Sequence, residues 1–418
     1  MEKMRKEVPW KSSLPGGSSL YQQALSLWED SSLGKREKEI PVVGFKEKQE
    51  TEKAILNFSE EMEKSKSKEQ LERGLKEFLI KGPIFASPGK TILQDPAFFR
   101  SSEEFLEKVQ KYEPDFPRED TGQALRNVWI MNLLQKAFGV TVSCTDGVFG
   151  YSMLYPYTDN FMDDPKISKG EKYLACDRLN RRLAGEKDTP RGRKEEKIFH
   201  MIEKIEKTFP RASYPRVFQS LLYIHHSQRE SLRQQTLIVK SEERKKAQRE
   251  EEVLQISFHK GGASVLADGY LVKGNLLPEE EKFCYNYGVL LQMADDLQDC
   301  KEDYENQHHT LFSMDYAREP LDGKARQLIV FSEKVFGDAQ GIMKAVEMPL
   351  FLFEHTLWLI LGSVLMTPSG FTPDFLQWAE DRLPVSRRFL ETQREIIMKK
   401  VKNSRFMTGE KFGETVVK

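Results

Sequence analysis

Five acidic side chains fall within nine positions, Asp295, Asp296, Asp299, Glu302 and Asp303, and they interrupt an apolar helical run, Gly288 to Ala294, that has no evident solvated face. On a helix Asp295, Asp299 and Asp303 stand at i, i+4 and i+8, one above another on a single stripe. Like charges stacked in this way repel, so the pattern calls for something positive among them. A hard divalent cation with oxygen ligands meets that need. Mg²⁺ suits it best, because it takes one or two carboxylates and leaves its other positions to water and phosphate oxygens.

A second acidic stretch lies far upstream. Asp159, Asp163 and Asp164 follow the apolar, aromatic segment from Val148 to Tyr157, with the first two at i and i+4. The intervening chain has room for several helices, enough to bring two acidic helix ends face to face across a bundle. Neither stretch has the alternating ligands, turn glycine and terminal glutamate of an EF-hand. Two opposed acidic helices imply a polyphosphorylated substrate held through several Mg²⁺ ions. Asp159, Asp163, Asp164, Asp295, Asp296, Asp299 and Asp303 are the candidate ligands. Among them Asp159, Asp163, Asp295 and Asp299 are the candidate catalytic groups.

Composition sets the limits. In 418 residues, 64 basic side chains stand against 65 acidic ones, and this balance offers no footprint for nucleic acid. Cys144, Cys176, Cys284 and Cys300 show neither CxxC spacing nor a disulfide framework, and fit reduced thiols of a cytoplasmic protein. The N-terminus lacks the apolar core of a signal peptide. Met348 to Met366 is long and apolar, yet it holds Pro349, Glu354 and His355, which favours a buried core helix over a membrane span.

Along the chain, residues 1–45 read as a tail or cap and 46–418 as one all-α domain. Glu50 to Lys81 has amphipathic helical spacing, and Ser101-Ser102-Glu103-Glu104 looks like a helix start. Gln123 to Phe138, Gly147 to Asp164 and Ser168 to Gly185 follow as helices, the last carrying Arg178, Arg181 and Arg182. Asp188 to Arg193 reads as a loop, and the next helix runs from Ser213 through Gln228, Arg229 and Arg233. Gly261-Gly262, inside a helical run, cost ~1 kcal/mol each relative to alanine. Close approach of a ligand or a neighbouring helix would account for that cost, with Lys260 beside the break as a phosphate-binding cation. No strand pattern or repeat recurs.

These residues resemble a known group. Gly288 to Asp299, ending in Gln292-Met-Ala-Asp295-Asp296-Leu-Gln-Asp299, resembles the second aspartate-rich motif of trans-prenyl diphosphate synthases. Asp159 to Ser168 looks like the first acidic motif of squalene and phytoene synthases, and Asp299 to Asp303 is similar to their second. The combination looks most like the class I terpene synthases of the squalene/phytoene synthase type, the bacterial large-terpene synthases. Asn160 replaces the doubled aspartate of the prenyl synthases, and no tyrosine-rich stretch precedes Gly261. Both departures point away from chain elongation and head-to-head coupling.

The resemblance implies an isoprenoid-synthase-type helical bundle around a central apolar cavity. Its implied reaction is Mg²⁺-dependent ionisation of a linear prenyl diphosphate, releasing pyrophosphate and a cyclic or linear terpene. Lys260, Arg182, Arg229, Arg233 and Gln228 are the candidates for diphosphate contact. Gln292, Gly261, Gly262 and Ser264 would line the cavity. Trp129, Phe149, Tyr151, Tyr270, Phe351 and Trp358 are its aromatic candidates, each with plain core packing as the competing reading. The expected partner is the prenyl diphosphate, with peripheral membrane contact for an apolar product. The rivals are a prenyltransferase joining two isoprenoid diphosphates and a helical interaction protein without catalysis.

Overall fold

The structure is a computed structural model and describes residues 16–32, 40–64, 92, 95–163, 167–231 and 246–406. Among these, every regular element is a helix, so the fold is all-α. In chain order the α-helices are α1 (Gly17–Ser32), α2 (Phe45–Lys64), α3 (Pro96–Tyr112), α4 (Arg118–Ala137), α5 (Asp146–Asp163), α6 (Lys169–Leu183) and α7 (Arg193–Thr208). There follow α8 (Pro215–Ser231), α9 (Lys246–Lys273), α10 (Pro278–Gln298), α11 (Cys300–Glu305), α12 (Asp322–Asp338), α13 (Met348–Met366), α14 (Pro373–Glu380) and α15 (Arg387–Phe406).

The antiparallel pair α9 and α10 forms the centre, and glycines set how closely it packs. A Cβ added at Gly288 would stand 2.1 Å from the Gly261 carbonyl oxygen, and one at Gly262 would stand 2.6 Å from the Tyr285 ring. The two backbones therefore touch, and only glycine permits it. Helix α9 runs unbroken through Gly261-Gly262, which corrects the expectation of a break there. The two glycines serve the close approach of a neighbouring helix. On one side of the pair lie α8, α4 and α5, with α7 outside α5; on the other lie α12, α13 and α1.

Local sequence explains two of the helix starts. Asp95 caps α3 by accepting from the Ala97 N–H, with Pro96 in the first turn, so this helix begins ahead of the Ser101-Ser102 start that the sequence suggested. Ser101 instead lies buried inside the helix, its hydroxyl donating to Asn132 at 2.9 Å. Ser168 and Glu171 form a reciprocal capping box that starts α6.

Two elements were not anticipated. Helix α7 begins where a loop was expected to end; its Ile198, Phe199, Met201, Ile202 and Ile205 are buried. It packs on α5 at Gly150, where a Cβ would meet the Met201 carbonyl oxygen at 2.8 Å. Helix α1 lies within the stretch read as a tail or cap, and it buries Leu20, Tyr21, Ala24 and Trp28 in the core. By length and composition α13 could cross a membrane, and 61% of its apolar window is buried against the other helices.

Candidate functional site

The acidic stripe survives a break in its helix. Helix α10 stops at Gln298 and α11 starts at Cys300, with Asp299 turning between them. Yet the Asp299 N–H still donates to the Asp295 carbonyl at 2.9 Å, and the Asp303 N–H to the Asp299 carbonyl at 2.8 Å. The i, i+4 register of Asp295, Asp299 and Asp303 is kept. All three, together with Asp296, line one pocket of about 120 Å³ with Lys260, Gln292, Ser257, His308 and Thr310.

The residues after the stripe fold back over it. The His308 N–H donates to the Asp303 carbonyl at 2.8 Å, and Gln307 takes a positive φ to make the turn. Thr310 and Ser313 then exchange backbone-to-hydroxyl hydrogen bonds of 2.8 and 3.2 Å. This places His308 Nδ1 3.7 Å from Asp303 Oδ1. Sequence reasoning passed over His308, Thr310 and Ser257 as pocket residues. The signal for Ser257 was present, since it lies three residues before Lys260 on a helix face.

Crowding marks the carboxyls. Asp296 is buried, accepts from Ser257 Oγ at 2.9 Å and Gln292 Nε2 at 2.8 Å, and is pushed by burial, against those two donors, up to about 6. Asp303 is pushed up to about 7, first by burial and then by the charges of Asp296, Asp299 and Asp295. An all-oxygen donor set that resists carrying its full negative charge suits a hard cation, and so the residues fit Mg²⁺ in kind. Among the described residues no three His, Cys, Asp or Glu side chains already stand close enough to enclose an ion. Mg²⁺ needs only one or two carboxylates, with water and phosphate completing its shell.

The last turns of the helix that carries the other acidic stretch border α8. Thr158 and Phe161 of the last turns of α5 share a cleft with Gln228 and Arg229 of the last turns of α8. Less than two turns back on α8, Tyr223 hydrogen-bonds His259 of α9, and two residues from His259 is Ser257, the partner of Asp296. Asp159 and Asp163 end α5, and their side chains lie outside the described residues, as do all of Asp164 and Arg233.

Among the described residues, two narrow apolar clefts of about 40 and 20 Å³ lie beside the last turns of α5 and α8. Tyr151 lines the smaller. Its hydroxyl stands near Ser264 and Asp268, and burial pushes it well up. Asp268 is fully buried, accepts from Asn127 at 3.3 Å, and is held well above the usual carboxylate range by burial.

Several expected site residues are placed elsewhere. The Arg182 guanidinium is committed to Glu206 by two hydrogen bonds of 2.7 and 2.6 Å. Arg229 pairs with Asp177 at 2.8 Å while still lining the larger cleft beside Gln228. Trp129 is 49% exposed and donates to Ser102, so it faces outward. Phe149 packs in the core against Phe105 and Tyr112. Tyr270 is buried and donates to Glu281. Phe351 and Trp358 both pack against His355. Compared with models of known protein families, with curated proteins and with solved structures, the chain has no match.

Proposed function

We propose that the protein is a Mg²⁺-dependent enzyme of the class I terpene synthase type, built on an isoprenoid-synthase-like bundle, which ionises a linear prenyl diphosphate and releases pyrophosphate. One observation carries the reading: Asp295, Asp296, Asp299 and Asp303 converge with Lys260 on one pocket in an all-α chain. Bound Mg²⁺ supplies Lewis-acid neutralisation of the leaving diphosphate. Asp295, Asp299 and Asp303 are the residues to hold it, and Lys260 adds the protein's own cation to the same pocket. Ser257 and Gln292 fix the Asp296 carboxylate by hydrogen bonds, so its orientation does not have to be found at the moment of reaction.

The clefts fall well short of the ~300–1,000 Å³ of ordinary ligand pockets. The reading therefore requires the apolar region among α5, α6, α7 and α8 to open when the prenyl chain enters. Incubation with Mg²⁺ and C10 to C35 prenyl diphosphates is the test, followed by phosphate assay and gas chromatography of the hydrocarbon. Pyrophosphate with a hydrocarbon product, lost in the Asp295→Asn/Asp299→Asn double variant, supports it. A lengthened diphosphate would make the protein a prenyltransferase, and inert substrate at every chain length would leave a helical interaction protein.

A further inference from the structure

Helix α1 closes a buried cage around His259, the residue next to Lys260. The Tyr21 ring lies on the imidazole, with centroids 4.7 Å apart and 23° between the planes. Tyr223 Oη of α8 hydrogen-bonds the His259 Nδ1 at 2.5 Å, and Tyr285 Oη of α10 stands 3.3 Å from the same nitrogen. The first turn of α1 backs this arrangement: a Cβ on Gly17 would stand 3.3 Å from the Tyr223 ring. Four helices thus meet at one imidazole, which is buried. Two residues before it Ser257 donates to Asp296, and one residue after it Lys260 lines the acidic pocket. A rotation of α9 at His259 moves both.

We propose that Tyr21 is a positioning residue for the acidic pocket, acting through His259: its stacked ring fixes the rotation of α9 that aims Ser257 and Lys260 at the aspartates. The inference rests on reading that pocket as a diphosphate site. It gives α1 a part in binding, where a helix that only covers core would contribute stability alone. A displacement of about 1 Å in such a constellation can change rates by about a hundredfold, so a small rotation suffices.

The test is calorimetric titration of the full chain with inorganic pyrophosphate in Mg²⁺, together with thermal melts. Tyr21→Leu keeps the position apolar and removes the stack; it should weaken pyrophosphate about tenfold or more. Tyr21→Phe keeps the stack and should bind within about twofold of the wild type. His259→Leu, which removes the stack from its other side, should lose affinity as Tyr21→Leu does and serves independently of it. Trp28→Leu, on the same helix against Phe258 and Phe331, should lower the melting temperature and leave affinity unchanged. Wild-type affinity in folded Tyr21→Leu or His259→Leu overturns the proposal, and so does equal loss in Trp28→Leu or Tyr21→Phe. If the wild-type chain binds no pyrophosphate while remaining folded, the diphosphate reading itself falls, and this inference with it.

Discussion

Ser257 and Asp296 meet across the central helix pair, hydroxyl to carboxylate at 2.9 Å, both largely buried in the wall of the acidic pocket. Removing the hydroxyl leaves a buried carboxyl short of a donor. Ser257→Ala should destabilise the fold by about 1–3 kcal/mol in urea denaturation. It should also move Asp296 further above about 6, since Ser257 is one of the two bonds holding it down. An unchanged urea midpoint would show that the bond contributes nothing.

Asp303 gives the metal-free protein a pH dependence with a definite sign. Its folded value of about 7 lies above the ordinary carboxylate value of about 3.9. The folded state therefore binds the extra proton in between, and the group's contribution is complete below about pH 4 and lost as pH rises through about 7. In chelator, the melting temperature should fall across that window, and less steeply in Asp303→Asn. Mg²⁺ should restore it most at the upper end, which differential scanning fluorimetry with and without the ion will read.

His225 works in the opposite direction. Burial, with the charges of His226 and Arg229 opposing protonation further, brings it down to about 4, against the bond from its ring to the Cys176 carbonyl. A base whose folded value is depressed contributes stability above about pH 6.5 that is lost as pH falls through about 4. His225→Gln, which keeps a donor for that carbonyl, should show a shallower acid limb in pH-dependent urea unfolding.

The cations can be told apart by what their loss changes. Arg182→Gln breaks two bonds to Glu206 and should cost about 1–3 kcal/mol of stability, with pyrophosphate affinity intact. Lys260→Gln should lower the rate of pyrophosphate release about a hundredfold. Parallel losses in both variants would place the diphosphate elsewhere.

Two glycines predict opposite outcomes for the same substitution. Gly288→Ala drives a methyl into the Gly261 carbonyl and should destabilise by about 3 kcal/mol or more. At Gly362, in α13, an added Cβ meets nothing within 4 Å, so Gly362→Ala should stabilise by about 0.5–1 kcal/mol. Urea unfolding of the pair is sufficient to check both.

Readability from sequence followed the range of the interactions involved. The Asp295, Asp299, Asp303 stripe could be read because i, i+4 spacing is local, and it held through the break at Asp299 because the backbone bonds did. Gly261-Gly262 announced a close approach, but the partner, Gly288, is a tertiary fact. Arg182 looked available because Glu206 lies on another helix, and α7 was hidden by charges that outnumber its buried face. For Trp129 both readings, cavity lining and core packing, pointed inward, and helical spacing alone did not show the exposed position it takes. Helix α1 lay concealed in a stretch whose glycines, serines and prolines suggested no core at all.

Because α9 and α10 meet main chain to main chain at Gly261 and Gly288, the helix pair that bears the carboxylates has no room to draw closer at that crossing. Exchanging Asp295 or Asp299 for asparagine then alters charge while the scaffold stays put. The molecule thus lends itself to dissecting electrostatics one group at a time, a condition that softer interiors rarely grant an experimenter.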